Sequence, residues 1–213
     1  DMANALRKRE DAAYFKAVAK KTAEKYVQCF YNKEKGTFSN GKQAPNLYAL
    51  ADGFLSNSEE NDIAARLLKS ISENGKHLDL GIYGIGYLVE ELGRFGAADT
   101  ALDCFMNPEY PSFAYQIAKG ATTLWEQWCG KGDMSSHNHA MFAGAVSGFY
   151  TTLAGVTPTD NGFKKFKIKP VLSRHIKRLD FSFNTVNGKS ELHYRIKDGD
   201  FILELLIPCN CRA

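Results

Sequence analysis

The hydrophobic pattern changes period once along the chain, in the segment Gly155-Val-Thr-Pro-Thr-Asp-Asn-Gly162. Before this segment, apolar residues recur every three or four positions, which is the spacing of amphipathic helices. After it, apolar and polar residues alternate, as they do in strands that bury one face. This change excludes a uniform architecture, and it predicts a mainly helical unit followed by a C-terminal all-β unit.

Six helices are predicted before the change of period. They are residues 3–32, residues 44–54, a helix capped by Ser56 or Ser58, residues 85–95, residues 97–106 and residues 137–154. The last of these is apolar on most faces, so we expect it to lie inside a larger protein. Long loops that contain glycine and aromatic residues separate the helices, and this arrangement favours a helical toroid over a compact bundle.

Strands joined by tight turns are predicted after the change of period. Apolar residues share one face in three runs, namely Leu179, Phe181 and Phe183, then Leu192, Tyr194 and Ile196, then Phe201, Leu203 and Leu205. The dipeptides Asn187-Gly188 and Asp198-Gly199 separate these runs and are typical of two-residue hairpin turns. We therefore expect an antiparallel meander, with a domain boundary that leaves residues 1–157 helical and residues 158–213 in an all-β unit.

Composition and charge exclude several classes of protein. The net charge of +3 is small, and it is divided into −3 over residues 1–162 and +6 over residues 163–213, where lysines alternate with apolar residues. This pattern argues against nucleic-acid binding and for two folding units. No apolar run approaches the roughly 18 residues of a membrane span, and the first residues do not resemble a signal peptide. Localisation cannot be inferred from these features.

The five cysteines do not have the spacing of a metal site. Cys209 and Cys211 are separated by one residue, whereas zinc-binding pairs are separated by two to four, and no second pair follows. We expect free thiols, no metal and no cofactor.

One acid stands between the only two tryptophans of the chain, in Gly120-Ala-Thr-Thr-Leu-Trp-Glu-Gln-Trp128. Aromatic faces around Glu126 suit a sugar-binding pocket, because indole rings stack on sugar CH groups while a carboxylate handles a hydroxyl, a proton or a water. The alternative is that Trp125 and Trp128 belong to the core and Glu126 is a surface acid. For His139, which follows closely, the alternatives are a sugar-binding role and a histidine satisfied at a helix start. For Asn138 the alternatives are capping that helix and binding sugar, and capping is expected.

Three motifs in the same order resemble the bacterial α-L-rhamnosidases of glycoside hydrolase family 78. They are the Gly120–Trp128 segment, the Ser136-His-Asn-His-Ala-Met-Phe142 segment, and Leu153-Ala-Gly-Val-Thr-Pro158 with Gly162-Phe-Lys-Lys-Phe-Lys-Ile-Lys-Pro170. The resemblance is good over residues 78–213. It implies part of an (α/α)6 barrel followed by an antiparallel β-sandwich, and an enzyme that cleaves terminal α-L-rhamnose with inversion.

The resemblance assigns the general base to Glu126 and sugar contacts to His139. Trp125 and Trp128 are substrate-binding candidates because of their aromatic faces, and we expect one of them in the pocket and one in the core. Nothing in residues 1–77 resembles the acidic motif that supplies the general acid of the family, so we expect the chain to be continuous with an upstream part that carries it. The segment from Glu126 to His139 is shorter than is common in the family, and Gln127 replaces a frequent basic residue. A non-catalytic carbohydrate-binding fragment and another (α/α)6 inverting glycosidase remain as alternatives.

Overall fold

The computed structural model describes residues 2–129 and 135–213. The chain divides into two compact units, one ending at Leu67 and one running from Leu68 to Ala213. Within the described residues, no helix combines the length and the apolar character that crossing a membrane requires.

The first unit contains helices and one short hairpin. Its elements are α1 (Met2–Ala5), α2 (Arg9–Phe30), β1 (Tyr31–Asn32), β2 (Thr37–Phe38), α3 (Gln43–Ala51) and the first part of α4 (Asn57–Glu73). The single helix predicted from residue 3 to residue 32 is therefore broken near its start. Arg7 adopts a positive φ of 56° there, a conformation that is incompatible with a continuing right-handed helix.

A capping box starts α4, as the sequence predicts for Ser56. The Ser56 backbone N–H and hydroxyl donate to Glu59 Oε2 at 2.9 and 2.7 Å. In the other direction, the Glu59 backbone N–H donates to the Ser56 hydroxyl oxygen at 3.4 Å. These hydrogen bonds satisfy amide groups that a helix start leaves without partners. The hydrogen bonds from Ser56 also lower the pKa of Glu59.

The helices of the second unit follow the predicted order, with one addition. They are α5 (Ile85–Arg94), α6 (Ala98–Met106), α7 (Phe113–Ala118), a 3₁₀ turn (Ala140–Ala143), α8 (Gly144–Gly148) and a π turn (Phe149–Leu153). The prediction missed α7, which is too short for a helical period to be recognised. The single helix predicted over residues 137–154 starts later, at Ala140, and contains three kinds of helical turn.

Glycines allow α5 and the segment from α8 to the π turn to pack closely, with backbone contact at one of three positions. The close pairs are Gly86 with Gly144, Val89 with Gly148 and Gly93 with Thr152. A Cβ added at Gly148 would lie 2.5 Å from the Val89 Cβ, and one added at Gly93 would lie 2.3 Å from the Thr152 methyl group. Residue numbers rise together in these pairs, so the two helices run parallel and begin at the same end.

The strands of the second unit confirm the predicted antiparallel arrangement. They are β3 (Val156–Pro158), β4 (Phe166–Ile168), β5 (Arg178–Thr185), β6 (Gly188–Lys197) and β7 (Asp200–Leu206). The β3–β4 hairpin packs against the β5–β6–β7 meander. The alternation of Phe166 and Ile168 with lysines predicts β4, whereas no sequence pattern predicts β3. Val156, Phe166, Leu192 and Tyr194 form the buried core between these layers.

An acidic pair on α6 binds the loop that leads into β5. Asp103 contacts Arg174 at 2.5 Å, His175 at 2.7 Å and Lys76 at 2.7 Å, while Asp99 accepts from Ser173 and from the Arg174 N–H. Burial alone would raise the pKa of Asp103, but the hydrogen bonds from Lys76, Arg174 and His175 outweigh it and hold the pKa at about 2. We call this group of residues the Asp103 clamp.

Replacing Asp103 by Asn should lower the free energy of unfolding by about 1–2 kcal/mol at neutral pH, since three donors lose an ionised acceptor. A carboxyl with a depressed pKa stabilises the fold above its ordinary value of 3.8, and this contribution is lost as the pH falls towards about 2. The variant should therefore show a shallower loss of stability over that window. Urea unfolding at a series of pH values measures both effects, and Asp62→Asn on the exposed face of α4 is the control.

Candidate active site

Two chain segments pair through backbone hydrogen bonds and hold Glu126. The Glu126 N–H donates to the Ser136 carbonyl at 2.8 Å, and the His139 N–H donates to the Leu124 carbonyl at 2.7 Å. The neighbouring Thr123 hydroxyl donates to the His137 carbonyl. Residues 123–126 and 136–139 therefore lie side by side, and we call this arrangement the Glu126 clasp.

The Glu126 carboxylate is oriented by the same clasp. The Ser136 N–H donates to Glu126 Oε2 at 2.9 Å, so Glu126 and Ser136 bond to each other twice. The His139 Nδ1 atom lies 3.9 Å from the same oxygen, which is beyond direct hydrogen-bond range. The side chain of Glu126 is 35% exposed and that of His139 is 23% exposed, so both are accessible from solvent while being held in place.

His139 has one ring nitrogen directed towards Glu126 and one that is buried. Its Nε2 atom is buried and has no hydrogen-bond partner among the described residues. A buried polar atom without a hydrogen bond lowers the free energy of unfolding unless a ligand or solvent atom bonds to it. His139 also occupies the N-cap position of the Ala140–Ala143 turn, so the expectation that Asn138 caps this helix is wrong.

The two tryptophans have different surroundings, although each is only 8% exposed. Trp125 stacks on the His137 ring at 4.7 Å between centroids. Trp128 packs edge-on against Phe113 and Phe142, and its indole N–H donates to the Leu80 carbonyl at 2.6 Å. Trp125 therefore supports the clasp from one side, and Trp128 joins it to the loop that precedes α5.

Four further acids, Asp79, Glu90, Glu91 and Glu109, are predicted from the sequence to be helix-surface acids. The prediction of a surface acid is wrong for Glu91, which is 4% exposed and pairs with Arg94 at 2.5 Å. Glu109 is exposed and lies 3.3 Å from the His77 ring. Asp79 is exposed in the loop before α5, and Glu90 is partly buried on α5.

Over residues 2–129 and 135–213, no three or more His, Cys, Asp or Glu side chains come together in a group that could hold a metal ion. In the same ranges, no two cysteines form a disulfide. Cys104 is fully buried, and this burial raises the pKa of its thiol to about 12.

The sequence predicts Glu126 and His139 in one site, but it does not predict Ser136, which orients the carboxylate. Ser136 acts through its backbone N–H, and any residue other than proline supplies that group. No side-chain pattern can therefore identify it. The only sequence signal was its position at the start of the Ser136–Phe142 motif.

The comparisons with known proteins agree on one family. Residues 1–153 match the bacterial alpha-L-rhamnosidase 6 hairpin glycosidase domain, and residues 155–213 match the bacterial alpha-L-rhamnosidase C-terminal domain. An alpha-L-rhamnosidase from Formosa agariphila is 30% identical over 99% of the chain, which corresponds to 24% of that protein. The matched domain families meet near the predicted boundary, but residue 157 itself remains a prediction.

Solved structures show the same architecture. An alpha-L-rhamnosidase from Dictyoglumus thermophilum gives a TM-score of 0.89 at 29% identity, over 98% of this chain and 24% of that one. The Streptomyces avermitilis alpha-L-rhamnosidase complexed with L-rhamnose gives 0.88 at 25% identity, over 99% and 21%. The chain is thus a helical-barrel part followed by an antiparallel β domain, and it spans about a quarter of the length of these relatives.

Replacing Trp128 by Phe should lower the free energy of unfolding by about 1–3 kcal/mol, because the Leu80 carbonyl loses its buried donor. Phe keeps most of the packing against Phe113 and Phe142. Urea unfolding measures the change, and Tyr83→Phe, at a tyrosine that is 68% exposed, is the control. Equal stability of the two variants would show that the indole N–H contributes nothing.

Proposed function

This chain belongs to the bacterial α-L-rhamnosidase family, and on that premise we propose that it forms part of a glycoside hydrolase that releases terminal α-L-rhamnose. The observation that carries the proposal is the Glu126 clasp, which presents one oriented and accessible carboxylate beside a histidine. A relative of known structure is complexed with L-rhamnose, which supports a rhamnoside as the substrate.

In the proposed reaction, Glu126 is the general base of an inverting hydrolysis. An inverting enzyme uses one carboxylate to activate water and one carboxylic acid to protonate the leaving oxygen, with about 6.5–9.5 Å between the two groups. The Ser136 N–H donates to Oε2 and so orients the carboxylate. The second oxygen of the carboxylate is then the acceptor for the proton of the attacking water.

His139, Trp125 and Trp128 are proposed to bind substrate around this base. The buried Nε2 of His139 suits a sugar hydroxyl, which can donate to or accept from an imidazole. Its Nδ1 lies 3.9 Å from the Glu126 carboxylate, so a hydroxyl bound at Nε2 is held close to the reacting centre. The tryptophans contribute by shaping the site, since both side chains are largely buried.

The general acid is proposed to lie outside this chain, in an upstream part of the same enzyme. The curated relatives are about four times as long as the matched region. Within this chain, the Glu91 carboxylate is paired with Arg94, and the Glu109 carboxylate lies against the His77 ring. A base from this chain and an acid from another part of the protein would together form the catalytic pair.

Replacing Glu126 by Gln in the intact protein should lower kcat for an aryl α-L-rhamnoside by about a hundredfold to ten-thousandfold, because the amide cannot accept the proton. KM should change little, since the shape and size of the side chain are kept. Steady-state kinetics measure both quantities, and Glu204→Gln on the β-sheet is the control. Activity near the wild-type level would overturn the assignment of Glu126.

The 213 residues alone should not hydrolyse an aryl α-L-rhamnoside at a measurable rate, because the proposed acid is missing. Product release by this polypeptide tests the expectation, with the intact protein as the positive control. Robust turnover would place the acid within this chain. Calorimetry with L-rhamnose on the same polypeptide tells whether the sugar is bound without turnover, as a non-catalytic binding fragment requires.

A further inference from the structure

A groove lined in part by Trp128, two residues beyond Glu126 in the chain, contains side chains that the proposed function does not use. Its volume is about 450 Å³, within the usual range of small-molecule sites. Three stretches of chain line it, and the side chains that matter here are Asn74, His77, Asp79, Tyr110 and Trp128. We call it the Tyr110 groove.

Hydrogen bonds and a histidine–carboxylate contact hold two walls of the Tyr110 groove. The Asn107 amide donates to the Gly75 and Lys76 carbonyls at 3.1 and 3.4 Å. On the same side, His77 lies 3.3 Å from the carboxylate of Glu109, the residue before Tyr110. The groove is therefore built before any ligand arrives, which lowers the entropic cost of binding.

The third wall connects the groove to the catalytic carboxylate. The indole of Trp128 is held by the Leu80 carbonyl at 2.6 Å and lines the groove. Trp128 follows Glu126 by two residues, so their Cα atoms are at most about 7 Å apart. The wall of the groove and the backbone of Glu126 therefore lie within the length of one disaccharide.

The side chains of the groove suit a sugar ring. Tyr110 is 51% exposed, and its ring is braced edge-on by Tyr115 at 5.5 Å, so it presents an aromatic surface to CH groups. Asp79 and Asn74, both exposed in the groove lining, are suited to hydroxyl groups. A carboxylate in the lining disfavours an anionic ligand, because like charges at close range repel.

We propose that the Tyr110 groove is a second sugar subsite, which binds the neutral pyranose to which the terminal rhamnose is attached. The proposal rests on the proposed function, since it assumes that Glu126 acts on a rhamnoside. Tyr110 stacks on the ring of this second sugar, and Asp79 accepts hydrogen bonds from its hydroxyls. The groove then selects substrates by the leaving group and takes no part in activating water.

The test compares substrates that have and lack the second sugar, in the intact protein. α-L-Rhamnosyl fluoride has no leaving sugar, whereas a panel of rhamnosyl disaccharides of different linkage has one. Tyr110→Ala should lower kcat/KM for the best disaccharide about tenfold, the equivalent of one stacking contact. It should leave kcat/KM for the fluoride within about twofold.

Two further variants separate stacking from simple loss of structure. Tyr110→Phe keeps the ring and should retain most of the disaccharide activity. Tyr83→Ala removes another exposed tyrosine, from the turn before α5 and outside the groove lining, and should change neither substrate. Asp79→Asn should reduce the ratio of kcat/KM for a substrate with a neutral second sugar to kcat/KM for one with an anionic uronic acid.

Several outcomes would overturn the proposal. An equal effect of Tyr110→Ala on the fluoride and on the disaccharide would make Tyr110 part of the catalytic site or of the fold. No effect on either substrate, or a wild-type protein that cleaves the fluoride and no disaccharide, would remove the subsite. A wild-type protein that cleaves neither the fluoride nor an aryl rhamnoside would instead refute the proposed function.

Discussion

Backbone contact between two parallel helices determines where the site can form. Gly86 with Gly144 and Gly148 with Val89 bring α5 and α8 closer than side chains would otherwise permit. Because the helices begin at the same end, the loop before α5 and the long loop before α8 meet there. Trp128 donates to Leu80 across this junction. A larger residue at either helix contact would separate the loops, and the clasp would lose its neighbour.

The position of Glu126 depends on the backbone more than on charge. An ion pair of long, exposed side chains contributes little, because solvent screens it and rotamer entropy opposes it. The clasp avoids both losses, since Glu126 and Ser136 are joined by two hydrogen bonds that involve peptide groups. At 3.9 Å, His139 is not required to hold the carboxylate. The Nε2 atom of His139 has no hydrogen-bond partner among the described residues, so it is available for a different role.

The sequence predicted the parts of this structure that depend on hydrophobic period and local turn chemistry. The helical and β units, the Ser56 cap and the hairpins at Asn187-Gly188 and Asp198-Gly199 follow from such local rules. The irregular start of the helix after His139 does not, because its 3₁₀ and π turns depend on packing against α5.

The same division applies to the site. Glu126 and His139 are recognisable by residue type and spacing, whereas their mutual geometry depends on backbone pairing between residues 123–126 and 136–139. The Tyr110 groove joins residues more than thirty positions apart, such as Asn74 and Tyr110, and the Asn107 amide bonds to the Gly75 carbonyl beside them. The sequence marks Gly75 and Asn107 only as the ends of helices, and only the folded chain brings them together.

The β domain has a physical connection to this groove through the Asp103 clamp. Arg174 and His175, in the loop before β5, bind Asp103 on α6, and α6 leads directly into the Asn107–Tyr110 wall. Lys76 takes part twice, since its ammonium group binds Asp103 and its carbonyl accepts from Asn107. The clamp therefore connects two of the three stretches that line the groove. On this view, the β domain supports substrate selection by holding α6 in place, although none of its own side chains lines the Tyr110 groove in the described part of the chain.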